Sequence, residues 1–320
     1  MNSKQNFSIV FMGTPEFAVT ILDRIVDEGY NIKAVVTATD KPAGRGRKIH
    51  ESDVKRYAVK QNLKILQPER LKDESFLSDL KNLNADLFVV VAFRMLPKQV
   101  WETPKFGTIN LHGSLLPQYR GAAPINWAVI NGEEKTGVTT FYINDKIDTG
   151  DLLLQKEMSI SENETAGEIH DRMMHLGAEV VVETIQMIRS GKDEAVPQET
   201  KETKLNPAPK IFKQDCRINI EDDIEQLHNF IRGMSPYPTA WMLVKRANQE
   251  NPKIFKIYKS SIVNSKPNPF IALVKREAEL HLITKKGTLN LTSVQLEGKK
   301  RMDAKQFLTG FDPDEWDVVV

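Results

Sequence analysis

Asn110 and His112 stand two positions apart in Gly107-Thr108-Ile109-Asn110-Leu111-His112-Gly113, at the end of a segment that reads as a strand. Side chains two apart on a strand point to the same face, so an amide and an imidazole converge on one spot. That pair suits attack on a carbonyl: the amide holds charge developing on oxygen, and the imidazole moves or stabilises a proton near neutral pH. The plainer alternative is local hydrogen bonding at a strand exit. Gly113, Pro117, Gly121 and Pro124 favour a built loop, because a simple exit has no need of so long an irregular stretch. Ser114 beside His112 raises the thought of a hydrolase. The chain has no Gly-x-Ser-x-Gly elbow there to expose the hydroxyl, so Ser114 is rejected as a nucleophile.

A carboxylate follows in the turn-rich stretch Asn144-Asp145-Lys146-Ile147-Asp148-Thr149-Gly150-Asp151. Asp148 there would orient the imidazole or favour its charged form, although Asp in a turn commonly bonds only its own backbone. Asp145 and Asp151 are equally eligible, and spacing does not choose among the three. Metal chemistry has little support: His170 and His175 are five apart, about 140° around a helix, and do not share a face. Gly13-Thr14-Pro15-Glu16-Phe17-Ala18 lacks the later glycines of a dinucleotide fingerprint, and no Walker loop is present. The stretch Lys41-Pro42-Ala43-Gly44-Arg45-Gly46-Arg47-Lys48 sets four cations among glycines, as a phosphate clamp would. A solvated basic loop explains the same residues.

These groups need a scaffold, and apolar runs alternating with helical spacing supply one. Phe7–Gly13, Asn31–Val36 and Asp86–Ala92 read as strands, the first and last buried on both faces. A helix capped by Thr14, with Pro15 in its first position, is expected after the first strand, and another over Asp53–Gln61. Strands separated by helices imply a mostly parallel, Rossmann-like sheet with flanking helices, and its chemistry belongs beyond the strands' carboxyl ends. Gly137–Ile143 and Leu152–Lys156 then read as a hairpin and Thr165–Arg189 as a long helix ending at Gly191. The resulting division is a catalytic domain over 1–191, a proline- and charge-rich linker over 192–210, and a third part over 211–320. After a helix at Ile224–Ile231, short alternating segments at 254–258, 270–274, 280–284 and 289–294 suit a small β-barrel of the oligonucleotide-binding kind.

Length and composition agree with two globular domains: 320 residues, 40% hydrophobic and 27% charged. The formal net charge is only +1, but Met242 to Lys305 holds fourteen Lys/Arg against five Asp/Glu. That excess points to a polyanion, with a lysine-rich strand edge as the alternative. The single cysteine, Cys216, cannot form an intramolecular disulfide. The polar start Met1–Asn6 and the absence of an eighteen-residue apolar run give no expectation of export or of a membrane span, and a cytoplasmic location follows.

Five segments together resemble the 10-formyltetrahydrofolate-dependent formyltransferases: Phe11–Phe17, Lys41–Lys48, Asn110–Pro117, Tyr119–Ile125 and Ile147–Asp151. The Ser-Leu-Leu-Pro and Arg-Gly-Ala-Ala-Pro runs belong to that superfamily in general. The basic Pro-Ala-Gly-Arg-Gly loop and the C-terminal barrel resemble its methionyl-tRNA formyltransferase branch. The resemblance implies formyl transfer from 10-formyltetrahydrofolate to the free amine of methionyl initiator tRNA, for translation initiation, with no metal and no obligate protein partner. It implies Asn110, His112 and Asp148 as the catalytic trio. Ser114, Leu115, Leu116 and Pro117, with Phe93, Met95 and Ile143, are implied at the folate. For tRNA, the resemblance implies the basic loop with Lys41, Arg45, Arg47 and Lys48, and the basic excess of the barrel adds Lys245, Arg246, Lys299, Lys300 and Arg301 as candidates. Ala92–Pro97 departs from the family's Ala-Tyr-Gly pattern and is a residue shorter, at the wall expected near the pteridine ring. Two rivals remain: a formyltransferase for amino-sugar nucleotides, and an RNA-binding protein on an inactive transferase fold.

Overall fold

A computed structural model describes residues 4–43, 48–199, 204–246 and 249–320. The chain divides into two units, the first comprising Met1–Gly121, Gly137–Met158 and His170–Pro207, the second Ala122–Thr136, Ser159–Ile169 and Ala208–Val320.

The elements follow in chain order as β1 (Ser8–Gly13), α1 (Glu16–Asp27), β2 (Asn31–Val36), β3 (Lys41–Ala43), β4 (Lys48–His50), α2 (Asp53–Lys60), β5 (Ile65–Leu66), α3 (Glu74–Asn82), β6 (Leu87–Val91), α4 (Lys98–Trp101) and β7 (Thr108–His112). Then come α5 (Pro124–Ile130), β8 (Lys135–Tyr142), β9 (Leu152–Ser159) and α6 (Ala166–Arg189). The main sheet of the first unit runs β5-β2-β1-β6-β7-β8-β9. Neighbours from β5 to β7 are parallel, and β8 returns antiparallel to β7. Every residue of β1 and β6 is buried, as expected of central strands covered on both faces. On one side, Val10, Met12, Phe88 and Val90 pack with Phe76 and Leu80 of α3.

The expected parallel strands and the hairpin are present, and so is the long helix. The start of α1 differs from expectation: Pro15, extended at φ −83° and ψ 175°, takes the cap position, and Glu16 opens the helix. Its carbonyl accepts the Ala18 N–H at 2.9 Å, so the proline begins the hydrogen-bond ladder without Thr14 as a side-chain cap.

The second unit contains α7 (Ile224–Gly233), β10 (Ala240–Arg246), β11 (Lys253–Asn264), β12 (Ala272–Arg276), β13 (Glu279–Thr284), β14 (Gly287–Leu296), β15 (Met302–Asp303), α8 (Ala304–Phe307) and β16 (Trp316–Val319). Its antiparallel sheet has the order β12-β13-β14-β11-β10-β16, with β15 paired to β14. The edge strands β12 and β16 approach each other, so the sheet curls into a nearly closed barrel. Phe255, Leu280, Leu282, Leu289 and Leu291 fill it, with Leu227 and Ile231 of α7 and Phe307 of α8. The four expected strands are found and joined by β10 and β16. No helix among the described residues is long and apolar enough to cross a membrane.

Candidate functional site

Strand β7 lies between β6 and β8, where Asn110 is level with Val90 and Phe141, and His112 with Thr139. The pleat puts Asn110 and His112 on one face. His112 is only 6% exposed, whereas Asn110 is half-buried and its amide has no hydrogen-bond partner among the described residues. A half-buried amide left open at a strand end can bind something outside the fold.

The His112 ring is held on both sides. Nε2 lies 2.8 Å from the Tyr119 carbonyl, and a carbonyl oxygen only accepts, so this nitrogen carries a proton. Nδ1 faces Asp148 Oδ2 at 3.8 Å, beyond hydrogen-bond length but close enough for a carboxylate to attract an imidazolium. The same Oδ2 accepts the Gly121 N–H at 2.9 Å. Three separate segments therefore meet at one imidazole: the end of β7, the Tyr119–Gly121 stretch and the turn between β8 and β9. Of the three aspartates that spacing left open, Asp148 is the one that stands beside His112, while Asp145 and Asp151 are exposed.

Two residues of this cluster adopt left-handed backbone, Tyr119 at φ 59° and Asp148 at φ 53°. Each costs about 1–2 kcal/mol for a side chain other than glycine, so neighbouring bonds must hold it. The Tyr119 N–H donates to the Asn206 carbonyl at 2.7 Å, which fixes the oxygen that receives His112.

The loop after His112 is braced from the returning hairpin. Thr139 Oγ1 donates to the Ser114 carbonyl at 2.6 Å and accepts the Leu116 N–H at 3.1 Å. Gln155 Nε2 donates to the Leu116 carbonyl at 2.8 Å and to Thr139 Oγ1 at 2.9 Å. Ser114 is fully buried, and its hydroxyl donates to the Gln118 carbonyl at 2.6 Å. Leu116 is buried, Leu115 and Pro117 half-buried. Sequence reasoning missed Tyr119, Thr139 and Gln155. Thr139 and Gln155 act through partners far along the chain, and Tyr119 acts on His112 through a backbone carbonyl that carries no side-chain signal, though Thr139 facing His112 is legible once β7 and β8 are paired.

Phe93 and Ile143 pack on the edge of the cluster formed by Met12 and Val90, while Met95 is 67% exposed. Arg94 lies over the Phe93 ring, 5.6 Å from its centroid, and donates to the carbonyls of Glu69 (2.8 Å) and Pro68. That guanidinium ties down the short Ala92–Pro97 segment.

Among the basic residues, Lys41 is exposed on β3, which pairs antiparallel with the strand β4 that Lys48 opens. Arg45 and Arg47 lie outside the described residues. In the second unit Lys245, Lys299 and Lys300 are exposed. Arg246 pairs with Glu315. Arg301 stacks 4.2 Å above the Tyr258 ring and donates to Ser293 Oγ at 3.0 Å.

A mainly parallel sheet with an amide, an imidazole and a carboxylate at one strand end, followed by an antiparallel barrel, describes a two-unit group-transfer protein. Comparison with known proteins narrows this. The chain belongs to the formyl transferase family, whose "Formyl transferase" domain matches residues 6–185 and whose "Formyl transferase, C-terminal domain" matches 210–312. It is 50% identical over 307 residues to the methionyl-tRNA formyltransferase of Flavobacterium johnsoniae, covering 96% of each chain. To that of Porphyromonas gingivalis it is 48% identical over 313 residues, covering 96% of this chain and 97% of the other. Among solved structures, the sugar 3N-formyl transferase WlaRD, crystallised with dTDP and 5-N-formyl-THF, superposes with a TM-score of 0.64 at 21% identity, over 92% of this chain and 99% of that one. HypX from Aquifex aeolicus, in complex with tetrahydrofolic acid, gives a TM-score of 0.63 at 16% identity, over 94% of this chain and 46% of its own. These two likenesses are of fold.

Proposed function

We propose that this chain transfers a formyl group from 10-formyltetrahydrofolate to the free α-amine of methionyl-tRNA, acting on the initiator tRNA in the cytoplasm. The observation that carries the reading is the meeting of His112 and Asp148 on the face where Asn110 presents an unpartnered amide. The near-full-length likeness to methionyl-tRNA formyltransferases supplies the acceptor.

The residues present fit a folate donor. The Asn110 amide is open, the backbone from Ser114 to Leu116 is held rigid by Thr139 and Gln155, and Phe93 and Ile143 offer apolar surface suited to a flat heterocycle. When bound, the donor supplies a formyl carbon attached to a nitrogen that can leave with its electron pair. Asn110 donates to the formyl oxygen as negative charge grows there while the neutral amine attacks. His112 holds its Nε2 proton against Tyr119, so any proton it takes from the attacking amine or returns to the leaving nitrogen passes through Nδ1. Asp148 stabilises the resulting cation and is itself kept in place by the Gly121 N–H. The carbon–nitrogen bond to the methionyl amine forms, the bond to the folate nitrogen breaks, and the proton lost by the amine balances the one gained by tetrahydrofolate.

The test is formylation of methionyl initiator tRNA, with an amino-sugar nucleotide offered in parallel under the same donor. Formylmethionyl-tRNA is the expected product. Formylation of the sugar amine alone would overturn the reading, and binding of tRNA without transfer would leave only the non-catalytic alternative.

A further inference from the structure

The stretch expected to be a linker reaches the turn that carries Asp148 through Gln198. Val196 and Leu152 exchange both backbone hydrogen bonds, at 2.8 and 2.9 Å, an isolated bridge that holds Val196 against the start of β9. Two residues further on, Gln198 meets the turn that carries Asp148. Its carboxamide is fully engaged: Nε2 donates to the carbonyls of Asp148 (3.0 Å) and Gly150 (2.8 Å), while Oε1 accepts from Arg120 Nε (3.2 Å) and Nη2 (2.6 Å).

Those partners lie at both ends of one bond. Arg120 adjoins Gly121, whose N–H donates to Asp148 Oδ2, and Asp148 itself holds φ 53°. Gln198 thus ties the backbone that bears the carboxylate to the backbone that donates to it. The turn's last residue is closely packed: a Cβ on Gly150 would sit 1.6 Å from the Tyr142 carbonyl oxygen.

We infer that Gln198 is a positioning residue for the reaction, setting where Asp148 Oδ2 stands relative to His112 Nδ1. The inference rests on the roles given to Asp148 and His112 under the proposed function. Gln198 touches neither the imidazole nor the reacting atoms, so its effect belongs in turnover and not in substrate binding.

Two substitutions separate its halves. Gln198→Glu retains an acceptor for Arg120 but sets oxygen against the Asp148 and Gly150 carbonyls, and Gln198→Met keeps the length while removing every hydrogen bond. In formylation of methionyl-tRNA, each is expected to lower kcat about 10- to 100-fold, the scale of a misplaced group, with KM for tRNA and for the folate within about twofold. The pH profile of kcat should take the form shown by Asp148→Asn. Adding Gln198→Glu to Asp148→Asn should lower the rate no further, because both act through one carboxylate. Wild-type kcat in Gln198→Glu and Gln198→Met, or a Gln198 loss that multiplies the Asp148 loss, would overturn the inference while the proposed function stood. Wild-type turnover in Asp148→Asn would instead sink the catalytic reading, and this inference with it.

Discussion

The loop beyond β7 and the charged surface of the barrel treat their polar atoms in opposite ways. Around His112 nearly every polar atom is committed: Tyr119 to Asn206 and His112, Ser114 to Gln118, Thr139 to Ser114 and Leu116, Gln155 to Leu116. On the barrel, Lys245, Lys299 and Lys300 are exposed and have no ion-pair partner among the described residues. The first arrangement leaves its groups little freedom, as a positioned reaction needs; the second supplies charge density without register, as contact with a phosphate backbone needs. In the committed region the Asn110 amide has no hydrogen-bond partner among the described residues, and His112 Nδ1 stands beyond hydrogen-bond length of Asp148, so these two groups face outward from an otherwise paired network.

Substitution should expose this contrast most strongly at His112. His112→Ala is expected to cut kcat by about 10² to 10⁴, the range for a lost acid–base or charge-stabilising group, while tRNA affinity stays near wild type. Steady-state formylation alongside a binding titration checks it, and a matching fall in affinity would erase the division between a chemical and a gripping region. Asn110→Ala comes next, with a loss of about 10²- to 10³-fold in kcat as for a single deleted oxyanion donor, and little change in KM for the folate. A KM effect in place of a kcat effect would turn Asn110 into a binding group.

The barrel should respond on a different axis. Lys299→Gln with Lys300→Gln is expected to weaken tRNA binding at low salt and to flatten the plot of log affinity against log salt by roughly 0.9 for each phosphate no longer neutralised, with kcat unchanged at saturating tRNA. Arg45→Ala in the basic loop should flatten the same plot by the amount due to about one phosphate. Slopes identical to wild type would remove these residues from the phosphate-binding surface and leave the barrel's charge as mere edge protection.

What could be read in the chain beforehand divides along the same line. The runs Phe7–Gly13 and Asp86–Ala92 gave central strands because they are apolar throughout, and Ile169, Met173, Leu176 and Val180 gave α6 by their spacing. Asn110 and His112 were legible because two-residue periodicity is a local property of a strand. Asp148 was not separable from Asp145 and Asp151, since the distinction lies in a Gly121 N–H twenty-seven residues away. Thr139, Gln155 and Gln198 escaped notice for that reason: each acts through partners brought near by strand pairing, and a lone Thr or Gln carries no local signal. Strand β16, only Trp316–Val319, is short, and it owes its place to pairing with β10.

The barrel unit is not loose throughout, and a smaller effect sharpens the comparison there. His228 of α7 is 2% exposed, with Nε2 3.4 Å from the Glu162 carbonyl and Nδ1 2.9 Å from Ser260 Oγ. The carbonyl only accepts, so Nε2 donates, and Nδ1 accepts the Ser260 hydroxyl. Burial pushes this imidazole below its ordinary 6.5, and the neighbouring Arg232 guanidinium adds to the shift against the upward pull of Glu162. A buried neutral histidine contributes stability that is whole above the unfolded value and is lost as the pH falls toward the folded one. Glu168 does not confuse the measurement: burial pushes its carboxyl up, but Lys259 and two hydrogen bonds from Thr165 bring it down to about 2, so it titrates well below this window. Between about pH 7.5 and pH 5.5 the thermal midpoint followed by tryptophan fluorescence should therefore fall more in the wild type than in His228→Gln. Trp127, Trp241 and Trp316 all belong to the second unit, so the signal reports chiefly on it. Parallel pH dependences in the two proteins would mean that His228 is not the group being titrated.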